Sequence, residues 1–135
     1  MNSNFENDVK TVLVVDDEPS ICMVVSEMLA ACNVRVLTAN DGYEAVRLLQ
    51  QEGDRVSLAM LDYSMPGMDC EILIQKLRQM NHQLKLVISS GEPGQLFEDP
   101  QSLGITAMIP KPYGMRQLVD LVLSLMDAPP NETSA

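Results

Sequence analysis

The sequence predicts an open α/β fold in which five parallel strands form a doubly wound sheet covered by five helices. Three observations support this prediction. Five apolar, strand-like runs recur along the chain, at residues 11–15, 34–38, 57–61, 84–89 and 106–109. Four of these runs are nearly continuous rather than alternating, which is typical of strands that helices cover on both faces. The segments between the runs largely show helical periodicity, and alternating strands and helices are the pattern of a parallel sheet.

The first two helices are predicted before the third strand. Pro19, which the first turn of a helix tolerates, precedes apolar residues at helical spacing. These residues are Ile21, Val24, Val25, Met28 and Leu29. A second helix is predicted over residues 41–51.

The third and fifth helices are also predicted by apolar spacing, whereas the fourth has the weakest pattern. Asp69 has the side chain of an N-cap residue and precedes the third helix. Its apolar positions are Cys70, Leu73, Ile74 and Leu77, and those of the fifth helix are Leu118, Leu121, Val122 and Leu125. Residues 94–104 contain Pro100, so the fourth helix is predicted to be short or mobile.

Length and composition favour one domain of a cytoplasmic protein. The chain has 135 residues, 46% of them apolar, which suits a single core. Residues 10–126 are the predicted domain, and the polar segments 1–9 and 127–135 are predicted flexible tails. The net charge of -10 argues against direct binding to nucleic acid or anionic membranes. Three cysteines without C-x-x-C spacing, no secretory-type leader and no run of roughly 20 apolar residues favour a reducing, non-membrane location.

Polar residues that could bind a ligand or take part in a reaction follow four of the five predicted strands. They are Asp16 and Asp17 after the first, Asp62 after the third, Ser89, Ser90 and Gly91 at the fourth, and Lys111 and Pro112 after the fifth. In open α/β sheets, ligands bind beyond the carboxyl ends of the strands, where these loops meet. The sequence therefore predicts one site that contains three carboxylates, a hydroxyl and an ammonium group.

Three crowded carboxylates favour a divalent cation, because like charges would otherwise repel and raise one another's pKa. Mg²⁺ accepts a few carboxylate oxygens and keeps water in its shell. A carboxylate in such a site can attack phosphorus and form an aspartyl phosphate, while Lys111 and Ser90 stabilise the transferred oxygens. The alternative is that the acids only cap the following helices, but the agreement of four strand ends favours a site.

The motifs VVDDE (14–18), LDYSMPGMD (61–69), SSG (89–91) and KP (111–112) resemble the receiver domain of bacterial two-component response regulators, including chemotaxis regulators. The resemblance extends over residues 10–126 and implies a flavodoxin-like sheet with the strand order 2-1-3-4-5. It also implies a phosphorylation-activated signalling switch and no enzyme activity beyond magnesium-dependent self-phosphorylation and autodephosphorylation.

The resemblance assigns expected roles to ten residues. It implies the phosphoacceptor at Asp62, magnesium ligands at Asp16, Asp17, Asp62 and the backbone carbonyl of Ser64, catalytic side chains at Lys111 and Ser90, and switch or modulatory positions at Gly91, Glu92, Met108 and Pro112. The bond from Lys111 to Pro112 is expected to be cis. Two residues depart from the family pattern: Cys70 replaces a usual glycine and is predicted only to start a helix, and Met108 replaces a usual aromatic residue.

The expected partners are a histidine kinase or histidine phosphotransfer protein and a downstream protein on the face of helix 4, strand 5 and helix 5. The protein is expected to be a monomer or a phosphorylation-dependent dimer. Met1 and the polar tail favour a single-domain regulator, and a phosphate-relay or hybrid-kinase receiver segment is the alternative. A binding-only receiver, a small magnesium-dependent phosphatase and a flavin-binding protein are less favoured. DDEPS lacks a Ser/Thr/Gly-rich phosphate loop, and 135 residues leave no room for a phosphatase cap.

Overall fold

A computed structural model describes residues 10–91 and 94–127. The strands are β1 (Thr11–Val15), β2 (Arg35–Ala39), β3 (Val56–Asp62), β4 (Lys85–Ser90) and β5 (Ile105–Pro110). The helices are α1 (Pro19–Ala30), α2 (Gly42–Glu52), α3 (Cys70–Met80), α4 (Pro100–Leu103) and α5 (Met115–Asp127), and a 3₁₀ turn spans Gly53–Arg55. The five strands are parallel, in the order β2-β1-β3-β4-β5. The predicted fold class and strand order are confirmed.

The predicted flexible tails are 1–9 and 127–135, and all of their residues except Asp127 lie outside the described residues. Asp127 is the last residue of α5, so the expected start of the second tail at residue 127 is wrong. Within residues 10–91 and 94–127, no helix has the length and apolar character needed to cross a membrane.

The central strands are buried because helices cover both faces of the sheet. All five residues of β1 and all six of β4 are buried, whereas the edge strands β2 and β5 are partly exposed. Successive side chains of a strand point to opposite faces. Leu13 accordingly packs in a cluster with residues of α2 and α3, and Val12 packs in a cluster with residues of α1 and α5.

Aspartate side chains cap three of the helices. Asp41 accepts a hydrogen bond of 2.8 Å from the backbone N–H of Glu44, at the start of α2. Asp69 accepts bonds from the N–H groups of Glu71 (2.9 Å) and Ile72 (3.4 Å), which confirms its predicted role as the N-cap of α3. Asp99 caps α4 in the same way.

The fourth helix is shorter than the predicted segment 94–104 and has only four residues. Pro100 occupies its first turn, where a proline needs no N–H partner and cannot extend the helix backwards. Gly104 ends it with the left-handed backbone that glycine adopts readily (φ 75°). Residues 95–99 are not helical, and Phe97 is buried in the core at 4% exposure. The expectation of a short helix is confirmed, but its expected start at residue 94 is wrong.

Two lysines hold the C-terminal end of α5 against the sheet. Nζ of Lys10 donates to the carbonyl oxygen of Met126 at 2.6 Å, and Nζ of the buried Lys85 donates to that of Leu125. The last carbonyls of a helix carry partial negative charge and lack partners within the helix. These contacts therefore explain how a lysine is accommodated in the buried strand β4.

Arg78 joins two loops at the amino edge of the sheet. Its guanidinium group donates to the backbone carbonyls of His82 (3.0 Å), Leu84 (2.6 Å) and Gly104 (2.9 Å). Burial lowers the pKa of Arg78. The rigid fork of guanidinium N–H groups can satisfy several carbonyls at once, which an ammonium group on a flexible stem does less well. Arg78 thus connects the loop between α3 and β4 to the end of α4.

We expect Arg78→Lys to destabilise the fold by roughly 1–3 kcal/mol, because several carbonyls, two of them partly buried, would lose a donor. Urea unfolding should show a lower midpoint. Arg47→Lys is the matched control, since the Arg47 side chain is 58% exposed and only 3.7 Å from a Glu44 oxygen; it should change the midpoint little. Equal midpoints for the two variants would contradict the structural role of Arg78.

Candidate functional site

The carboxyl edge of the sheet brings two aspartates and a lysine into contact. Asp16 directly follows β1, and Asp62 is the last residue of the adjacent strand β3. Lys111 follows β5, and its Nζ lies 3.2 Å from Oδ1 of Asp62 and 3.6 Å from Oδ2 of Asp16. The parallel register, which pairs Val15 with Leu61, places the two acids side by side.

Both acids are buried, with residue exposures of 2% for Asp16 and 5% for Asp62. Oδ1 of Asp16 accepts a hydrogen bond of 2.9 Å from the N–H of Glu18. Oδ2 of Asp16 is buried and has no hydrogen-bond partner in the described part of the chain. Oδ1 of Asp62 accepts a bond of 3.2 Å from the N–H of Ser64. The site therefore contains a buried carboxylate oxygen that is available to a ligand.

The negative charge of the site exceeds what Lys111 balances. Burial raises the pKa of Asp16, and Asp62 and Asp17 raise it further, against the opposing effects of the Glu18 N–H and of Lys111. Burial alone would lower the pKa of Lys111, but Asp16 and Asp62 outweigh burial and the pKa is raised. The site thus favours an additional positive charge.

Three carboxylates could share one cation at this edge. Asp16, Asp17 and Asp62 each offer an oxygen, and these oxygens lie within 4.8 Å of one another. Asp17 is exposed, so the cluster opens to solvent on that side. A donor set of oxygens alone suits hard cations such as Mg²⁺. The free Oδ2 of Asp16 and this donor set fit the predicted metal site, whereas the backbone carbonyl of Ser64 as a ligand stays a prediction.

The predicted residues of the neighbouring loops lie at the same edge. Ser90 ends β4 and is buried, and its carbonyl accepts a bond of 2.8 Å from the N–H of Lys111. A Cβ atom at the exposed Gly91 would lie 3.8 Å from Cβ of Lys111, which is ordinary contact. The Lys111–Pro112 bond is cis, as expected. Glu92 lies outside the described residues.

The two departures from the family pattern have different environments. Met108, on the edge strand β5, is 44% exposed and is not part of the core. Cys70 starts α3 as expected and is buried. Burial, with added repulsion from Asp69, raises the pKa of the Cys70 thiol to about 12, so this thiol stays protonated and unreactive at neutral pH.

Sequence reasoning missed two aromatic features of the site. Tyr63, next to Asp62, packs edge-on against Phe97 with ring centroids 5.4 Å apart and an interplanar angle of 89°. Its hydroxyl reaches the carbonyl of Leu96 at 3.5 Å. Tyr113, two residues after Lys111, has a buried hydroxyl. The only sequence signal was the proximity of each tyrosine to a predicted site residue.

Comparisons with known proteins agree with this geometry. The family model described as "Response regulator receiver domain" matches residues 12–123. The chain is 29% identical over 120 residues to the sensor kinase CckA of Brucella abortus (strain 2308), covering 87% of this chain and 12% of that protein. It is 30% identical over 116 residues to the transcriptional regulatory protein CpxR of Klebsiella pneumoniae subsp. pneumoniae (strain HS11286), covering 85% of this chain and 48% of that protein.

Among solved structures, the chemotaxis protein CheY4 of Vibrio cholerae is similar to this chain, with a TM-score of 0.77 and 25% identity. The match covers 86% of this chain and 98% of the CheY4 chain. By contrast, the chain spans less than half of the length of either curated relative named above.

Asp16→Asn should stabilise the metal-free protein at neutral pH, by about 1 kcal/mol, because it removes a buried charge whose environment disfavours ionisation. The folded pKa of Asp16 is raised, so its ionisation opposes folding as pH rises. The advantage of the variant should therefore vanish below pH 3.8, the ordinary value, where Asp16 is protonated in both states. Urea midpoints at several pH values measure this.

Magnesium should reverse the ranking. At ten times its dissociation constant, Mg²⁺ should stabilise the natural protein by about 1.4 kcal/mol and Asp16→Asn much less. Asp120→Asn, on the exposed side of α5, is the control and should respond to Mg²⁺ as the natural protein does. Equal stabilisation of all three proteins would contradict the metal site.

Proposed function

The chain belongs to the family of response regulator receiver domains, and we propose from this premise that it is a phosphorylation-activated signalling switch with Asp62 as phosphoacceptor. The 3.2 Å contact between Nζ of Lys111 and Oδ1 of Asp62 is the observation that supports this proposal most. Beside it, Oδ2 of Asp16 has no hydrogen-bond partner among the described residues. The contact joins a carboxylate nucleophile to an ammonium group that can bind a phosphoryl oxygen.

The reaction is a transfer of one phosphoryl group. A carboxylate oxygen of Asp62 attacks the phosphorus atom of a phosphohistidine, the new O–P bond forms, and the P–N bond breaks with its electrons passing to the imidazole. Lys111 and the hydroxyl of Ser90 bind the transferred oxygens through charge-assisted hydrogen bonds. When bound, Mg²⁺ supplies positive charge against Asp16, Asp17 and the phosphoryl group.

Two residues are proposed to set the lifetime of the phosphorylated state. Ser64, two residues beyond Asp62, leaves the path of an attacking water open because its side chain is small. Glu92, two residues beyond Ser90, would orient that water by hydrogen bonding. Hydrolysis of the aspartyl phosphate returns Asp62 to its carboxylate and resets the switch.

The phosphodonor is proposed to be a histidine kinase or a histidine phosphotransfer protein. The helix α1, which begins three residues after Asp16, exposes the apolar residues Met23 (58%), Val24 (41%) and Met28 (37%). A groove lined by Ile21, Pro112 and other residues leads from this helix to Lys111. Exposed apolar side chains of this kind favour docking of another protein, here on the helix that follows Asp16.

Phosphorylation is proposed to alter the face of α4, β5 and α5, roughly residues 95–126, where a downstream protein would bind. The packing of Tyr63 on Phe97 supports this, because it connects the residue after Asp62 to the segment that leads into α4. Met108 is exposed on the same face, and its several rotamers suit a graded response rather than two discrete positions. A phosphate relay, as in receiver segments of hybrid kinases, remains the alternative output.

Incubation with acetyl phosphate and Mg²⁺ should add one phosphoryl group, measured by intact mass. Asp62→Asn should remove the adduct, since an amide is not a nucleophile, and Lys111→Ala should slow its formation by about 10²–10³-fold. Asp54→Asn, at the opposite edge of the sheet, should behave as the natural protein. A phosphate adduct that persists in Asp62→Asn would falsify the assignment.

Beryllofluoride with Mg²⁺, which mimics the aspartyl phosphate, should shift NMR signals across residues 95–126 as well as at the site. Phe97→Leu should shrink the shifts in α4 and β5, because the ring contact to Tyr63 is lost, while Tyr43→Leu, at a 66% exposed side chain, should not. Shifts confined to the loops of Asp16, Asp62 and Lys111 would favour the relay over the switch.

A further inference from the structure

Tyr113 occupies a particular place beside the site. It follows the cis Lys111–Pro112 bond, in the loop between β5 and α5, and its ring packs against the cluster that contains Cys22 and Leu118. The ring therefore belongs to the packing between α1 and α5. Its hydroxyl group is at the opposite end of the ring and needs a separate explanation.

The hydroxyl of Tyr113 is buried and has no hydrogen-bond partner within residues 10–91 and 94–127. A buried hydroxyl without a partner opposes folding, so most such groups are paired with protein or with ordered water. Burial raises the pKa of Tyr113, and the charge of Asp16 is the next largest cause. The hydroxyl is a hydrogen-bond donor, and two contacts place Tyr113 near Asp16. Lys111, two residues before Tyr113, has its Nζ 3.6 Å from Oδ2 of Asp16, and Cys22, in the cluster on which the ring packs, has its Sγ 3.5 Å from the carbonyl oxygen of Asp16.

Oδ2 of Asp16 is the complementary group. It is buried, it accepts no hydrogen bond within the described segments, and its nearest cation, Nζ of Lys111, is 3.6 Å away. The other oxygen, Oδ1, is already fixed by the N–H of Glu18. A hydroxyl donor and a carboxylate acceptor, neither with a hydrogen-bond partner among the described residues, thus lie on the same side of the proposed cation site.

We propose that Tyr113 is a positioning residue of the metal site, whose hydroxyl holds the Asp16 carboxylate through one bridging water molecule in the orientation that binds Mg²⁺. A single water bridges two such groups at little loss of hydrogen-bond energy. Carboxylates that bind metals are themselves held by hydrogen bonds from outer groups, and loss of these groups lowers metal affinity. This inference rests on the proposed function, because it concerns the same site.

A packing role alone makes a different prediction. If only the ring mattered, phenylalanine would fill the same space and would avoid burying an unpaired hydroxyl. Tyr113→Phe removes one oxygen atom and keeps the ring, so it separates the two roles. It should change the metal-free urea midpoint little, because the loss of one water-bridged hydrogen bond is offset by the removal of a buried polar group.

The decisive measurement is a titration with Mg²⁺ alone, followed by NMR or calorimetry. Tyr113→Phe should weaken Mg²⁺ binding about 10-fold, the lower end of the loss expected for an outer hydrogen-bonding group. Tyr43→Phe is the matched control: it removes the same atom from a 66% exposed side chain and should bind Mg²⁺ as the natural protein does. In the Asp16→Asn background, Tyr113→Phe should cause no further loss, because the two groups act together.

Each outcome decides between the inference and the function on which it rests. An unchanged dissociation constant in Tyr113→Phe, with normal Mg²⁺ binding by the natural protein, overturns the positioning role and leaves the metal site intact. A lower metal-free midpoint with unchanged affinity shows that the hydroxyl stabilises the fold without acting on the metal site, and also overturns the role. Absence of Mg²⁺ binding by the natural protein overturns the proposed metal site itself, and the role of Tyr113 with it.

Discussion

The repulsion between the buried carboxylates of Asp16 and Asp62 is the constraint on which the rest of the site depends. One ammonium group, at 3.2 and 3.6 Å, balances only part of this charge, and burial, with added repulsion from Asp62, raises the pKa of Asp16. The site as it stands therefore carries excess negative charge, so a bound cation or phosphoryl group would change its electrostatic energy strongly. A group that binds here can shift the populations of two conformations only because it interacts differently with each.

The sheet prevents the charges from relieving this repulsion by moving apart. Asp16 follows β1 and Asp62 ends β3, two adjacent strands that are almost entirely buried and whose parallel register is fixed by backbone hydrogen bonds. The N–H of Lys111 bonds to the carbonyl of Ser90, and the N–H of Tyr63 bonds to that of Ser89, both at 2.8 Å. The close-packed core on both faces makes displacement of these strands costly. A change in the charge of the site should therefore move the surrounding loops rather than the strands.

The segment that leads into α4 has little regular structure. Residues 95–99 form no helix, and α4 has a single turn. Phe97 fixes the start of this segment against Tyr63, beside Asp62, and Arg78 fixes its end through the carbonyl of Gly104. Segments with few regular hydrogen bonds open at low free energy, so a change at Asp62 has a short physical route to this segment.

The sequence by itself determined the five strands, the doubly wound sheet and the positions of Asp16, Asp17, Asp62 and Lys111. Apolar runs and helical spacing are local signals, and a parallel sheet brings residues that follow its strands to one edge whatever the details of packing. Tertiary structure alone decided the length of α4, the exposure of Met108 and the contacts of Arg78. It also decided that the ring of Phe97 and the hydroxyl of Tyr113 are buried. These features depend on which distant segment supplies the neighbouring surface, and no short stretch of sequence encodes that choice.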